Sequence, residues 1–204
     1  MLVIGITGQF ASGKSAVARI LSKMCRAIVI NADNIGHYVL LDKNVKKQLI
    51  HYFGKTIMTK GAINRRYLSK EAFKDVKNHR VLCRITHPLL AAKIKDRLKN
   101  IGLKNKGAVV IIDAAVLIEL GLLKYVDKLI VVKALGKEQV KRARSKWGLS
   151  GPDIARRIRL QIPLRELIKK ADFIIDNSGS LEEMRKQAKR IVAKICPSSR
   201  AASA

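Results

Sequence analysis

"GQFASGKS", from Gly8 to Ser15, matches the pattern G-x-x-x-x-G-K-S/T that is typical of a phosphate-binding loop. An apolar, β-branched run, "LVIGI", precedes it and ends at Ile6. After the loop, apolar residues recur at the spacing of one helix face, at Val17, Ile20, Leu21 and Met24. Strand, loop and helix follow one another as in proteins that bind ATP or GTP. A glycine turn with a chance Gly-Lys-Ser fits this context poorly.

Each residue type in this loop suits a bound anion. Gly8 and Gly13 can adopt backbone angles that are closed to other residues, and they leave room for phosphate oxygens. Exposed main-chain N–H groups and the helix N-terminus favour negative charge. We therefore expect Lys14 to reach the β- and γ-phosphates of a nucleotide and Ser15 to bind Mg²⁺.

Four more short apolar runs predict further strands. They are "AIVI" (27–30), "AVVII" (108–112), "KLIVV" (128–132) and "DFIID" (172–176). All of them lack clean alternation, as expected for strands that are buried on both faces of a parallel sheet. With helical patterns between them, these runs predict a layered α/β fold around a five-stranded parallel sheet.

Two segments are too long for simple crossovers between strands. We interpret residues 34–106 as a helical insertion over one edge of the sheet. Residues 135–171 contain two basic helical stretches, the second starting near Pro152, and we interpret them as a mobile lid over the phosphate site. The chain is then one domain, 1–204, whose core comprises 1–33, 107–134 and 172–196. The tail "PSSRAASA" is expected to be frayed.

Two carboxylates follow predicted strands, where open α/β sheets bind their ligands. Asp33 follows the second strand and has two interpretations: it accepts a proton from an attacking hydroxyl or helps to hold the metal, or it caps a helix. Asp113 follows the third strand. It either binds Mg²⁺ through water or caps the turn, and the first interpretation is slightly favoured.

The lid carries several basic residues that are able to neutralise charge on a transferred phosphoryl group. They are Arg142, Arg144, Lys146, Arg156, Arg157 and Arg159. For most of them a solvated surface position is the better expectation. The sequence alone does not select among them.

The chain is strongly basic, with 42 Lys and Arg against 15 Asp and Glu and a net charge of +27. Such a charge is compatible with nucleic-acid binding, with anionic small substrates or with a basic solvated surface. Single-strand binding proteins stack bases on aromatic side chains, and only 4% of this chain is aromatic. Nucleic acid is therefore a disfavoured partner.

Other features of the sequence indicate a cytoplasmic protein. The longest apolar run, Ala108 to Leu123, is interrupted by Asp113 and Glu119, so no membrane span is predicted. The N-terminal residues lack the basic region of a signal peptide. The chain has 3 cysteines, widely separated, which indicates reduced thiols.

Several motifs in order resemble the dephospho-coenzyme A kinase family, from about Leu2 to Glu183. They are "GITGQFASGKS", "INADNIGH", "GAINRRYLSKEAF", "ITHPLL", "IIDAAVLIELGL", "EQVKRARSKWGLS", "RIRLQIPL" and "ADFIIDNSGSLEE". The resemblance implies a three-layer P-loop kinase fold. It also implies that ATP, with Mg²⁺, phosphorylates the ribose 3′-hydroxyl of dephospho-coenzyme A, the last step of coenzyme A synthesis. We expect a monomer or a weak homo-oligomer.

The resemblance also assigns roles to individual residues. The catalytic residues it implies are Lys14, Asp33 and Arg142. The ATP-binding residues are Gly8, Ala11, Ser12, Gly13, Lys14, Ser15, Ala16 and Asn177, with Ser15 also a metal ligand. The acceptor-binding residues are Asp33, Arg65, His87, Asp113 and Glu119.

Five positions depart from the family's usual pattern. They are Asn31 in place of an acid, His37 of an arginine, Ala115 of a proline, Ala16 of a threonine and Leu167 of a lysine. Because the loop lysine and serine, Asp33 and Arg142 are all present, we expect an active enzyme. The alternatives are a P-loop kinase for another nucleotide or small molecule and, less favoured, a nucleic-acid-binding NTPase.

Overall fold

The structure is a computed structural model that describes residues 1–196. The frayed tail predicted at 197–204 lies outside this range. The strands are β1 (Leu2–Thr7), β2 (Ile28–Asn31), β3 (Met58–Thr59), β4 (Ala62–Ile63), β5 (Val109–Asp113), β6 (Lys128–Lys133) and β7 (Phe173–Asp176). The helices are α1 (Lys14–Cys25), α2 (Ala32–Val39), α3 (Lys43–Phe53), α4 (Arg65–Ala72), α5 (Val76–Lys104), α6 (Gly136–Trp147), α7 (Gly151–Arg159), α8 (Leu164–Ile168) and α9 (Leu181–Ile195).

The main sheet confirms the predicted five parallel strands, in the spatial order β2-β5-β1-β6-β7. β5 lies between β1 and β2, and its last residue, Asp113, is in register with Asn31 and with Ile6. The carboxyl ends of these three strands therefore meet at one edge. That edge carries the P-loop after β1, the start of α2 after β2, and Asp113 itself.

Helices cover both faces of this sheet, and the strand residues divide between the two faces. In β5, Val110 and Ile112 pack on the side of α2, α3 and α5, whereas Ile111 packs on the side of α1 and α9. Leu129 and Ile130 of β6 divide in the same way. Because successive side chains of a strand point to opposite faces, continuous apolar runs fill two cores at once. The predicted three-layer α/β fold is confirmed.

The segment 34–106 contains α3, α4, α5 and most of α2, but it is not wholly helical. A two-stranded antiparallel hairpin, β3–β4, interrupts the helices. Its turn residues Lys60 and Gly61 have φ of 49° and 77°, as type I′ hairpin turns require. The sequence interpretation missed this hairpin because each strand has only two residues. Further along, α5 continues through Pro88.

The segment 135–171 contains three helices where two helical stretches were predicted. α7 begins near Pro152, as predicted, and the Ser150 hydroxyl caps it by accepting from the Asp153 N–H. The stretch then breaks before Pro163, since the residue before a proline avoids helical angles. The last helix, α8, buries Leu167 in the core with Leu129 of β6, so it is part of the body of the domain.

Within residues 1–196 the structure contains no helix that is long and apolar enough to cross a membrane.

The core on the α5 face provides a test of the packing. Leu98 is 5% exposed and Leu103, on the same helix, is 72% exposed. We expect Leu98→Ala to lower the free energy of unfolding by about 2–5 kcal/mol, because it leaves a cavity in the core. The control Leu103→Ala should change it by less than about 0.5 kcal/mol. Urea denaturation checks both values, and equal effects would contradict the packing described.

Candidate active site

The loop between β1 and α1 adopts backbone angles that few side chains tolerate. Gly8 and Gly13 have φ of 151° and 92°, and Ala11 has φ of 58°. A Cβ atom on Gly8 would lie 2.2 Å from the Val132 carbonyl oxygen, and one on Gly13 would lie 2.0 Å from Nδ2 of Asn177. Both loop glycines are therefore required by conformation and by space. The loop leads directly into α1, whose first turn exposes Ser15 and Ala16.

Two side chains hold this loop through one carbonyl group. The Ser12 carbonyl accepts from Nδ2 of Asn177 at 2.8 Å and from Nη1 of Arg142 at 3.3 Å. Nη2 of Arg142 donates to the Asn177 carbonyl at 2.7 Å, so Ser12, Asn177 and Arg142 are all hydrogen-bonded to one another. Glu138 lies 3.9 Å from the same guanidinium. The structure thus brings together Arg142, Asn177 and the loop, which the family resemblance had placed at the ATP.

Lys14 lies across the loop, with its ammonium donating to the Gln9 carbonyl at 3.2 Å. Burial lowers the pKa of Lys14, and the carboxylates of Asp113 and Asp33 partly offset this shift. The charge of Lys146, from α6, lowers the pKa of Lys14 further. Two carboxylates and a second cation therefore surround this ammonium.

Asp113 lies next to the first turn of α1. It is 4% exposed, and its carboxylate accepts from Nδ2 of Asn31 at 2.9 Å. Burial raises the pKa of Asp113, while a hydrogen bond from the Ser15 hydroxyl and the charge of Lys14 oppose the shift. The Asp113 carboxylate thus contacts Asn31 and Ser15, and Ser15 is the predicted metal ligand. The carboxylate does not act as the cap of a turn.

Asp33 is exposed in the first turn of α2, on the same edge as Lys14 and Asp113. The alternative in which Asp33 caps this helix is wrong, because Asn31 is the capping residue. The Asn31 side-chain oxygen accepts from the Asn34 N–H at 2.8 Å, while its amide donates to Asp113. An asparagine performs both tasks because it is donor and acceptor at once. The Asp33 carboxylate lies in the first turn of the helix, and within residues 1–196 its side chain makes no hydrogen bond or ion pair.

A pocket of about 750 Å³ opens beside this edge, between α2, the β3–β4 hairpin and α5. Arg65, the first residue of α4, lines it together with Asn31, His37 and Tyr38. Arg97 of α5 also lines it. The sequence interpretation missed Arg97, because nothing in a regular helix pattern distinguishes one surface arginine from another.

His87 and Glu119 lie apart from the lining of this pocket. His87 is half-buried in α5, and burial and the nearby His79 lower its pKa. The charge of Glu119 contributes, after burial, to raising the pKa of Cys83 to about 11. Because Cys83 precedes His87 by one turn, Glu119 faces the same stretch of α5. The structure brings His87 and Glu119 to the same stretch of α5, but it does not bring them to the residues around Lys14.

The six basic residues singled out in segment 135–171 differ in what they contact. Arg142 holds the loop, and Arg157 lies over the ring of Phe10 in the loop. Lys146 acts on the charge of Lys14. The remaining three are exposed or paired with Asp153: Arg144, Arg156 and Arg159.

The fold and the site together define a P-loop kinase. The first strand of a parallel sheet leads into a P-loop, a serine and an aspartate lie next to that loop, and an arginine of α6 contacts it. The sequence profile of the dephospho-CoA kinase family matches residues 2–183. The dephospho-CoA kinase of Carboxydothermus hydrogenoformans is 40% identical over 94% of this chain and 93% of its own. The chain therefore belongs to the dephospho-CoA kinase family.

Solved structures agree with this assignment. A Thermus thermophilus protein, TT1252, superposes with a TM-score of 0.73 at 27% identity, covering 95% of this chain and 97% of that one. Dephospho-CoA kinase from Campylobacter jejuni superposes with a TM-score of 0.68 at 25% identity, covering 96% and 98%. The predicted P-loop kinase fold is confirmed.

The loop geometry gives a direct test. Gly13→Ala forces a Cβ atom into the Asn177 amide and strains a left-handed backbone, so we expect ATP affinity to fall about tenfold or more. Gly136→Ala is the matched control, because a Cβ atom there meets nothing within 4 Å. Titration calorimetry with ATP measures both. Unchanged affinity in Gly13→Ala would contradict the required close approach.

Proposed function

We propose that this chain transfers the γ-phosphoryl group of ATP to the ribose 3′-hydroxyl of dephospho-coenzyme A, which gives coenzyme A and ADP. One observation supports this most strongly. The P-loop, the exposed carboxylate of Asp33 and a pocket lined by Arg65 lie at one edge of the sheet. A phosphoryl donor, a proton acceptor and an anion-binding acceptor site are what this reaction needs.

On the ATP side, the loop N–H groups and Lys14 are proposed to bind the β- and γ-phosphates. Lys14 is positioned for this role by its bond to the Gln9 carbonyl and by the two neighbouring carboxylates. Arg142, already at the loop, adds a second cation for the charge that develops on the phosphoryl group. Asn177 contacts the loop beside Gly13, which supports its proposed place in the ATP site.

The residues around Ser15 suit Mg²⁺. This ion prefers oxygen ligands and binds proteins through one or two carboxylates together with substrate phosphates. Here the Ser15 hydroxyl hydrogen-bonds the buried Asp113 carboxylate. We propose that Ser15 binds the ion and that Asp113 holds it directly or through water. When bound, Mg²⁺ neutralises phosphate charge.

On the acceptor side, Asp33 is proposed to orient the 3′-hydroxyl and to take its proton. Asn31 performs the capping and supports Asp113, so Asp33 is available for the substrate. Two of the five departures from the family pattern lie nearby. Asn31 donates a hydrogen bond to Asp113, and His37 lines the pocket. Neither replaces the Asp33 carboxylate, which favours retained activity.

The pocket beside Asp33 is proposed to hold the remainder of the acceptor. Dephospho-coenzyme A carries a pyrophosphate, and Arg65 and Arg97 supply two guanidinium groups to the pocket wall. We accordingly assign acceptor binding to the helical region 34–106 and water exclusion to the lid, 135–171. His87 and Glu119 remain predicted acceptor residues on the α5 side of this region.

The reaction is tested by measuring ADP release from Mg-ATP with and without dephospho-coenzyme A, with the product weighed by mass spectrometry. We expect ADP only with the acceptor, one added phosphate in the product, and no turnover with EDTA. Lys14→Ala and Asp33→Ala should each lower kcat by about 100-fold or more, since each removes a group that acts at the transferred phosphoryl. ATP binding without any turnover of this acceptor would reject the proposal.

The acceptor pocket has its own test. Arg65→Ala should raise KM for dephospho-coenzyme A about tenfold or more, by removing a charged hydrogen bond, and leave KM for ATP nearly unchanged. Arg66→Ala is the control, because Arg66 is exposed on the same helix and does not line the pocket. Initial rates at varied substrate concentrations measure both constants. An equal effect of the two substitutions would place the acceptor elsewhere.

A further inference from the structure

Phe10, at the tip of the P-loop, is held by four side chains from the lid segment. They are Gln139 and Trp147 of α6, Arg157 of α7, and Gln161 just after α7. We call these four residues the Phe10 clamp. The family resemblance assigned no role to any of the four.

The two glutamines bind the main chain of Phe10 on both sides. The Phe10 N–H donates to Oε1 of Gln161 at 2.6 Å, and Nε2 of Gln139 donates to the Phe10 carbonyl at 2.8 Å. Gln139 is only 5% exposed, and burying an amide costs free energy unless it is hydrogen-bonded. In this arrangement Gln161 acts as the acceptor and Gln139 as the donor, so both polar groups of Phe10 are hydrogen-bonded.

The ring of Phe10 is held as well. Trp147 stacks on it with ring centroids 4.9 Å apart, and the guanidinium carbon of Arg157 lies 5.5 Å from its centroid. The same guanidinium lies 4.1 Å from the centroid of Phe73, beyond the end of α4. Arg157 thus lies between an aromatic ring of the loop and one of the acceptor region.

Arg157 also bonds directly to the acceptor helix. Its Nη2 donates to the Ser69 hydroxyl at 2.8 Å, and Ser69 lies one turn after Arg65 in α4. Its Nε is buried without a hydrogen-bond partner in the described part of the chain, and burial lowers its pKa. A solvated surface arginine has none of these properties.

We propose that Arg157 and Gln161 are positioning residues that align the acceptor helix α4 with the tip of the P-loop. Gln161 fixes the main chain of the tip, and Arg157 fixes the distance from the tip to Ser69. Neither residue needs to touch the reacting atoms. Their loss should misplace the acceptor relative to the γ-phosphate, and small misplacements lower the rate steeply. This inference rests on the proposed function.

The first experiment replaces Arg157 by lysine, which keeps the charge and loses the planar stack and the bond to Ser69. We expect kcat for coenzyme A formation to fall about 10- to 100-fold, with both KM values nearly unchanged. The ratio of ATP hydrolysis to acceptor phosphorylation should rise. Arg156→Lys, at the neighbouring surface position, is the control and should leave kcat, both KM values and this ratio unchanged.

Ser69→Ala removes the same bond from the other side. If Arg157 acts through Ser69, the two substitutions combined should cost less than the product of their separate effects. Unchanged kcat in Arg157→Lys, or fully multiplicative effects of the two substitutions, would overturn the alignment by Arg157. Comparison of unfolding midpoints ensures that each variant is folded before its rates are compared.

The glutamines provide a matched pair of substitutions. Gln161 accepts a hydrogen bond, so Gln161→Glu should keep nearly full kcat and Gln161→Ala should lose it. Gln139 donates, so Gln139→Glu places a carboxylate against the Phe10 carbonyl and should lower kcat. If Gln161→Ala is as active as the original chain, or if Gln161→Glu is as inactive as Gln161→Ala, the proposed role of Gln161 fails.

Trp147 supplies a readout that does not depend on the acceptor. It is the single tryptophan of the chain, and its ring stacks on Phe10. We expect ATP binding to change its fluorescence, and Gln161→Ala and Arg157→Lys to reduce that change. If dephospho-coenzyme A is not phosphorylated by the original chain, the proposed function fails. The clamp is then supported if these variants alter the Trp147 response and overturned if they do not.

Discussion

The conformation of the P-loop main chain is the constraint on which the rest of this structure depends. Gly8 and Gly13 have positive φ, which glycine adopts readily, whereas the positive φ of Ala11 is strained and persists only where its surroundings hold it. Here the Ser12 carbonyl is held by Asn177 from the end of β7 and by Arg142 from α6. Distant parts of the chain therefore meet at one peptide group and hold the loop in this conformation.

The order of the strands determines what surrounds that loop. With β5 between β1 and β2, Asp113 lies beside Ser15 and accepts from Asn31, one residue ahead of α2. The two apolar cores fix this arrangement, because each strand contributes alternate side chains to both. The ionisable side chains of Lys14 and Asp113 thus lie at the edge of a sheet that is packed on both faces. Burial lowers the pKa of Lys14 and raises the pKa of Asp113, and each shift favours the neutral form of the side chain.

Local features of this fold were predictable from the sequence, and long-range contacts were not. The five strands and the P-loop depend on apolar runs and on a glycine pattern that are complete within a few residues. The β3–β4 hairpin was missed because its strands are too short to show a period. The capping of α2 by Asn31 instead of Asp33 depends on a choice between two polar neighbours that propensity does not make.

The arginines of segment 135–171 likewise differ in long-range contacts that the sequence does not reveal. Arg142 and Arg157 resemble Arg144 and Arg159 in sequence and differ in what the fold brings to them. The partners of Arg157 are Phe10, far away in the chain, and Ser69 and Phe73, in a different helical region. The family resemblance assigned a role to Arg142, in the motif "EQVKRARSKWGLS". Arg157 begins another of the quoted motifs, "RIRLQIPL", but the resemblance gave it no role, and its partners are evident only in the folded chain.

In the proposed reaction, the phosphoryl donor and the acceptor hydroxyl meet at Asp33. A crystal structure with dephospho-coenzyme A and a non-hydrolysable ATP analogue would show whether they do. We expect a carboxylate oxygen of Asp33 within about 3 Å of the ribose 3′-oxygen, and that oxygen in line with the γ-phosphorus. A ribose that lies away from Asp33, with its 3′-hydroxyl directed at solvent or at another side chain, would contradict it.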